Sequence, residues 1–293
     1  MLLDYIKLKD SKQALSGYIS EAQTLLKQSA VPDDNAVHDV RVLMKRSRAV
    51  IHLLRSQMDE ESYTREYQTL REVGRLMSSW RETSVHRKVL KSLRKSHPLV
   101  FSELKDFEPL NALINNNSPV PGSVEEIETT SQQIQSLLNK SGYRIRFLSL
   151  NNLDPKILLA ELEKTYHSVA ESYLACRVNP KPSNIHEFRK KAKNFLYQLW
   201  FFRSLKPRTI KSLEKRIDTM TQNLGKYNDL AVLISTIGYK YSAEGNSPAL
   251  NELIILIRDQ QDNYLSKVWP EAYRIFCPGQ KLVNQLGFKL LIF

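Results

Sequence analysis

The sequence predicts an all-α protein, and three observations support that fold class. Apolar residues recur at helical spacing through most of the 293-residue chain. The chain has only 9 Gly and 12 Pro, too few for a β protein rich in loops. Helix-start signals precede the periodic segments, for example Asp154 followed by Pro155. Hydrophobic residues make up 42% and charged residues 25%, which is typical of a globular chain.

The helical segments fall into two runs separated by a break. In the first run, amphipathic segments are predicted at 10–29, from the capping sequence PDDN to residue 55, at 60–80 and at 81–95. The polar segment INNNSPVPGS, residues 114–123, interrupts the pattern, and another helix is predicted at 124–138. After NNLDP the pattern restarts with a long helix from Pro155, and NPKPSN leads into a helix at 185–203.

The second run resembles the first at an offset of about 148 residues. His38, Arg41, Lys45 and Arg55 match His186, Arg189, Lys193 and Arg203 at that offset. Their apolar neighbours match too, for example Val37 with Ile185 and Val40 with Phe188. We therefore predict an internal repeat of about four helices per copy. The copies are expected at residues 10–150 and 151–276 of a single domain spanning 1–293, with a C-terminal tail, 277–293, of unknown placement.

The segment VHDVRVLMKRSRAVIHLLR places six basic side chains in one file along a helix. Steps of three and four residues keep them on one face. The file consists of His38, Arg41, Lys45, Arg48, His52 and Arg55. An apolar stripe begins one residue away, about 100° around the helix, so the file borders the packed seam.

Few acidic residues accompany these basic files. Asp39 is the only acid between Val37 and Arg55, and ten Lys or Arg accompany two Glu between Ile185 and Arg216. Like charges at i and i+4 destabilise a helix slightly, so we expect an anion to offset the repulsion. The two files are predicted to meet and line a shared groove.

Phosphate suits the residue types of the files. Arg pairs with phosphate oxygens through two parallel hydrogen bonds, and Lys adds a compact charge. His38 and His186 lie near predicted helix starts, where backbone N–H groups also attract anions. The net charge of +12 likewise favours a polyanionic partner: a nucleic acid, an anionic membrane surface or a phosphate polymer.

Both basic segments resemble the signature of the CHAD family, the conserved histidine α-helical domain. VHDVRVLMKRSRAVIHLLR and IHEFRKKAKNFLYQLWFFR share the pattern His-x-x-Arg-x-x-x-Lys, and WRETSV and LGKYNDLAVL are similar to a later family segment. The resemblance implies two similar four-helix bundles around a basic central channel. It also implies binding of inorganic polyphosphate and, in some members, targeting to polyphosphate granules. The residues that it implicates are His38, Arg41, Lys45, Arg48, Arg55, His186, Arg189, Lys190, Lys193 and Arg203.

Two other functions remain alternatives at this point: nucleic-acid binding and metal-dependent phosphohydrolysis. Straight files beside a core seam suit a thin charged polymer better than a nucleic acid. The sequence has no Gly-rich phosphate loop, CxxC or His-Glu-x-x-His motif, and the acids beside the files are interpreted as caps and as partners that orient basic residues. We therefore expect no catalytic residues, metal or cofactor.

The large aromatic residues and the cellular location can also be predicted. Trp80, Trp200, Tyr227 and the run 197–202 follow the apolar periodicity and are predicted to lie in the core. No stretch approaches the roughly 20 apolar residues that cross a bilayer, and the start MLLDYIKLKD lacks a signal-peptide core. A cytoplasmic protein with no membrane partner is therefore expected, and its oligomeric state is left open.

Overall fold

The structure, a computed structural model, describes residues 10–29, 31–105, 110, 123–150, 154–241 and 248–286. Within these ranges every regular element is a helix and no strand occurs, as the sequence predicts. Most of the predicted break, residues 114–122, lies outside the described residues.

Eleven α-helices are described. They are α1 Ser11–Lys27, α2 Asp34–Leu53, α3 Glu60–Leu76, α4 Ser78–Ser96, α5 Pro98–Glu103, α6 Val124–Phe147, α7 Pro155–Val178, α8 Pro182–Leu199, α9 Pro207–Tyr241, α10 Pro248–Phe276 and α11 Leu282–Leu286. Short 3₁₀ turns at Arg55–Gln57 and Trp200–Phe202 follow α2 and α8.

Local sequence signals account for most of the helix starts. The side chain of Asp33 accepts a hydrogen bond of 2.7 Å from the backbone N–H of Ala36, and Asp154 caps α7 in the same manner. Ser123 and Glu126 form a reciprocal capping box at the start of α6. Several predicted boundaries differ. Met77 divides the segment 60–80 into α3 and α4, and α6 continues to Phe147 beyond residue 138. The helix predicted at 185–203 is Pro182–Leu199. Long amphipathic patterns give the existence of a helix more reliably than its ends.

The helices pack as two sets of four with α2 and α8 between them. In the first set α2 packs on α1 and α3, and α6 packs on the same two helices. In the second set α7, α8, α9 and α10 pack in sequence and α10 returns to α7. One hydrophobic core runs through both sets, and α2 packs directly against α8. The 148-residue repeat itself stays a prediction.

A smaller apolar cluster joins α4 and α5 to the C-terminal part of α9 and the N-terminal part of α10. Its residues include Leu90, Phe101, Leu233 and Leu253, all buried. This cluster ties the insertion between α3 and α6 to the second set of helices.

The described part of the C-terminal tail packs on the main core. Leu282 and Leu286 of α11 are buried there, and Gly279 makes the preceding turn with φ of +84°. The placement of residues 287–293 lies outside the described structure.

Across the ranges that the structure describes, no helix combines the length and the apolar character that crossing a membrane requires.

Candidate anion-binding site

The contact between α2 and α8 brings basic residues of the two predicted files together. We define the central cation cluster as Arg41, Lys45 and Arg48 from α2 with His186, Arg189 and Lys193 from α8. The charges of the other four Lys and Arg residues act on Lys45. His186 also interacts electrostatically with Lys45 and Arg189.

Lys45 lies at the middle of the cluster, and among the described lysines its pKa departs furthest from the ordinary value. Burial lowers its pKa first, and the positive charges of Arg189, Arg41, Arg48 and Lys193 lower it further, to about 7. No carboxylate among the described residues lies within ion-pair distance of its ammonium group. A half-buried lysine without a paired carboxylate loses part of its hydration and is repelled by the neighbouring cations. The surroundings of Lys45 therefore disfavour its charged form and lower its pKa.

Arg41 and Arg189 hold matching positions on the two helices. The Nη1 of Arg41 donates to the carbonyl oxygen of Gly74 at 2.6 Å, and the Nε of Arg189 donates to that of Thr221 at 3.3 Å. The accepting carbonyl groups lie on α3 and α9, which are 33 and 32 residues further along the chain than the two arginines. Both guanidinium groups are thus fixed against a neighbouring helix.

Gly225 on α9 makes room for Arg189. A Cβ atom at this position would lie 3.2 Å from both Nε and Nη2 of Arg189. Asp229, one turn further along α9, favours the charged guanidinium, although burial is the larger influence and lowers the pKa of Arg189. The glycine and the acid together position Arg189 beside Lys45.

Arg48 and His186 lie at opposite margins of the cluster. Arg48 points toward α3, where Tyr67 and Arg71 act on it, and its buried Nε has no hydrogen-bond partner. Much of the surface of His186 is exposed near the start of α8, and partial desolvation of its ring, followed by the charges of Lys190 and Arg189, lowers its pKa. It is therefore a neutral donor or acceptor at pH 7.

Four predicted site residues have carboxylate partners, which corrects the expectation that the files lack them. Arg55 pairs with Glu60 at 3.4 Å, Lys190 with Glu187 at 2.8 Å, Lys193 with Asp218 at 2.8 Å and Arg203 with Glu214 at 2.6 Å. Glu60, Glu214 and Asp218 lie on later helices, and only the packing of those helices brings their carboxylates to the basic residues.

The structure places His38 and His52 away from the middle of the cluster. His38 is exposed near the start of α2. His52 lies between α2 and α8, with its Nδ1 3.3 Å from Nε2 of the buried Gln198, and burial lowers its pKa. This surrounding fits a packed histidine.

Arg46 extends the basic surface and was missed by sequence analysis. Its guanidinium carbon lies 4.6 Å from the ring centre of Trp200 and 5.9 Å from that of Tyr197. Arg203 lies 5.3 Å from the same indole, and the ammonium of Lys193 lies 5.8 Å from Tyr197. Tyr197, Trp80 and Tyr227 are buried as predicted, but Trp200 is only half-buried. The available signal was a second basic residue directly after Lys45, but the sequence does not show that Trp200 lies beside it.

Within the described ranges, no group of three or more His, Cys, Asp or Glu side chains is close enough to hold a metal ion.

Comparison with known proteins agrees with this architecture. The CHAD domain family model matches residues 13–238. Among solved structures, the chain is similar to the crystal structure of the CHAD domain from the plant Ricinus communis, with 14% identity and a TM-score of 0.57 over 98% of this chain and 94% of that one. No curated protein matches by sequence.

Because the family model covers most of the chain, this protein belongs to the CHAD domain family. The structural likeness to the plant domain establishes the shared all-α fold.

Proposed function

We propose that this protein binds inorganic polyphosphate along the contact between α2 and α8. One observation carries the proposal: the half-buried Lys45 lies among four cations of two helices, and no carboxylate of the described residues pairs with it. A linear phosphate chain would supply that missing negative charge, and several guanidinium and ammonium groups would engage it together. Membership of the CHAD family supports the same ligand class.

The basic surface has the length to follow a polymer. From His186 in α8 to Trp200 in the 3₁₀ turn that follows, the chain extends about 20 Å along the helix axis. The central cation cluster occupies one end, and Arg46 and Arg203 beside Trp200 occupy the other. A chain lying along α8 would meet cations from both helices throughout this length.

Nucleic acid is the weaker alternative. Binding of single strands commonly uses aromatic faces on which bases stack. Here Tyr197 is buried, and the indole of Trp200 already lies beside Arg46 and Arg203. The aromatic faces near the basic surface are thus occupied by guanidinium groups.

We propose that binding takes place without catalysis. The acids nearest the cluster, Asp218 and Asp229, act on Lys193 and Arg189 and so orient cations. A phosphohydrolase would use such acids to hold a metal ion. Release of phosphate from polyphosphate in the presence of Mg²⁺ or Mn²⁺ would contradict this part of the proposal. In cells we expect a cytoplasmic protein that associates with polyphosphate granules.

A competition assay tests the ligand. At fixed physiological salt, long-chain polyphosphate should displace labelled DNA from the protein at a monomer concentration at least tenfold below that at which DNA displaces polyphosphate. DNA that competes equally well or better would overturn the proposal. Running the assay at two salt concentrations separates this preference from unspecific attraction, which weakens steeply with salt.

A further inference from the structure

An open cleft adjoins the central cation cluster between the start of α8 and the middle of α9. Its volume is about 480 Å³, and it is lined by Pro182 and His186 of α8 and by Asn228, Ala231, Val232 and Ser235 of α9. His186 belongs to both the cleft and the cluster, so a ligand could occupy the two together. A volume of this size is within the range of small-molecule sites.

The cleft and the cluster have opposite chemical character. Pro182, Ala231 and Val232 present hydrocarbon surface, while the cations lie beyond His186. An inorganic phosphate chain has no apolar surface that such a wall could cover. A ligand that uses both parts must carry an apolar ring system at one end and several phosphates at the other.

Polar groups of the cleft can form hydrogen bonds with such a ring system. Asn228 is 8% exposed, and its buried Nδ2 has no hydrogen-bond partner among the described residues. An unpaired buried amide donor is costly, so a small side-chain rotation toward a ligand acceptor would be favourable. Ser235 is exposed on the same face and offers a hydroxyl, and the neutral imidazole of His186 offers a second polar edge.

We propose that the cleft holds the nucleoside of a nucleoside 5′-polyphosphate whose phosphates lie in the central cation cluster. This inference rests on the proposed function, because the cluster must accept phosphates. A heterocyclic base would pack on the apolar wall, and its ring nitrogens or carbonyl oxygens would accept from Asn228. The sugar would pass His186 and place the phosphates near Lys45 and Arg189.

The test compares two ligands with the same number of phosphates. Calorimetry should give at least tenfold tighter binding for adenosine 5′-tetraphosphate than for inorganic tetraphosphate. The nucleotide carries no more negative charge than the inorganic chain, so charge alone predicts no such gain. Equal affinities of the two ligands would overturn the inference.

A variant that fills the cleft locates the effect. In Ala231→Leu/Ser235→Leu the tenfold difference should close, while affinity for long-chain polyphosphate stays within twofold of the unmodified protein. Ser235→Leu alone, at an exposed position, serves if the double variant does not fold, and Ser266→Leu on α10 is the control. A difference that persists in the filled cleft would contradict the assignment. If the unmodified protein did not bind long-chain polyphosphate at all, that result would instead contradict the proposed function.

Discussion

Lys45 is the residue on which the account depends. In the unfolded chain its ammonium group is hydrated and has an ordinary lysine pKa of 10.5, whereas in the folded protein burial and four neighbouring cations lower that pKa to about 7. The unfolded state therefore binds more protons than the folded state between about pH 7 and pH 10.5. In the absence of a ligand, the free energy of unfolding therefore rises as pH increases from about 7 to about 10.5. Below about pH 7 the destabilisation by Lys45 is fully present.

Replacing Lys45 should separate stability from binding. Lys45→Met keeps the long side chain but removes the charge, so we expect a higher unfolding midpoint at pH 7 in the absence of ligand. We also expect polyphosphate affinity to fall at least tenfold, because the central cation is lost. Thermal unfolding and calorimetry measure the two effects.

The matched control is Lys140→Met on α6, an exposed lysine with the same change of charge. It should leave both the midpoint and the affinity nearly unchanged. A Lys45→Met protein that is less stable and binds as before would contradict the role assigned to Lys45.

Binding should take up protons at mildly alkaline pH. A polyanion beside Lys45 raises its pKa from about 7, so at pH 8 the group is mostly neutral before binding and becomes charged afterwards. Affinity should consequently fall as pH rises from 7 to 9. Calorimetry at pH 8 in two buffers of different ionisation enthalpy measures the uptake, which Lys45→Met should abolish. Proton release, or no proton exchange at all, would rule out this linkage.

At the scale of the helix, α9 contributes to the site through a position without a side chain and through a backbone carbonyl group. Gly225 leaves space for the guanidinium of Arg189, and Thr221 of the same helix accepts its hydrogen bond. Glycine inside a helix costs about 1 kcal/mol relative to alanine. The close approach of Arg189 explains why the helix carries a glycine there.

Gly225→Ala should weaken binding without lowering stability. The added methyl group displaces Arg189 by a few tenths of an ångström, while alanine favours the helix. We expect polyphosphate affinity to fall by about threefold or more, which corresponds to roughly 0.65 kcal/mol. Gly17→Ala on α1, where nothing lies within 4 Å, is the control and should leave affinity unchanged. An unaltered affinity in Gly225→Ala would show that the position of Arg189 is unimportant for binding.

Spacing along one helix predicts which side chains share a face, and it predicted Arg41, Lys45 and Arg48 together on α2. It carries no information on the groups that another helix brings to that face. Asp218 beside Lys193 and Glu60 beside Arg55 were therefore not predicted, nor was the backbone acceptor of Arg41. Arg46 was missed because its aromatic partner, Trp200, follows a different helix.

At the scale of the whole molecule, the two sets of helices meet through the helices that carry the basic residues. Packing α2 against α8 buries Val40, Phe188 and their neighbours while it concentrates positive charge beside them. Hydrophobic burial thus holds together cations that repel one another. The fold class and most helices followed from apolar periodicity, but the α2–α8 contact is set by tertiary packing, which one sequence reveals only through the matching files.

Long polyphosphate should stabilise the protein more than the same phosphate concentration in short chains. A ligand that binds only the folded state raises the unfolding midpoint, and several contacts with one chain act together. We expect the shift to grow with chain length until the basic surface of about 20 Å is covered. Orthophosphate at equal monomer concentration is the control, and an equal shift from orthophosphate would exclude multivalent binding.

A crystal structure with a short polyphosphate oligomer tests the central claim most directly. The account predicts phosphate groups between α2 and α8, with oxygens in hydrogen-bond distance of Lys45 and of at least one guanidinium group from each helix. Phosphates bound only elsewhere, for example at the exposed basic residues Arg94 and Lys95 of α4, with Lys45 left without an anion, would contradict it.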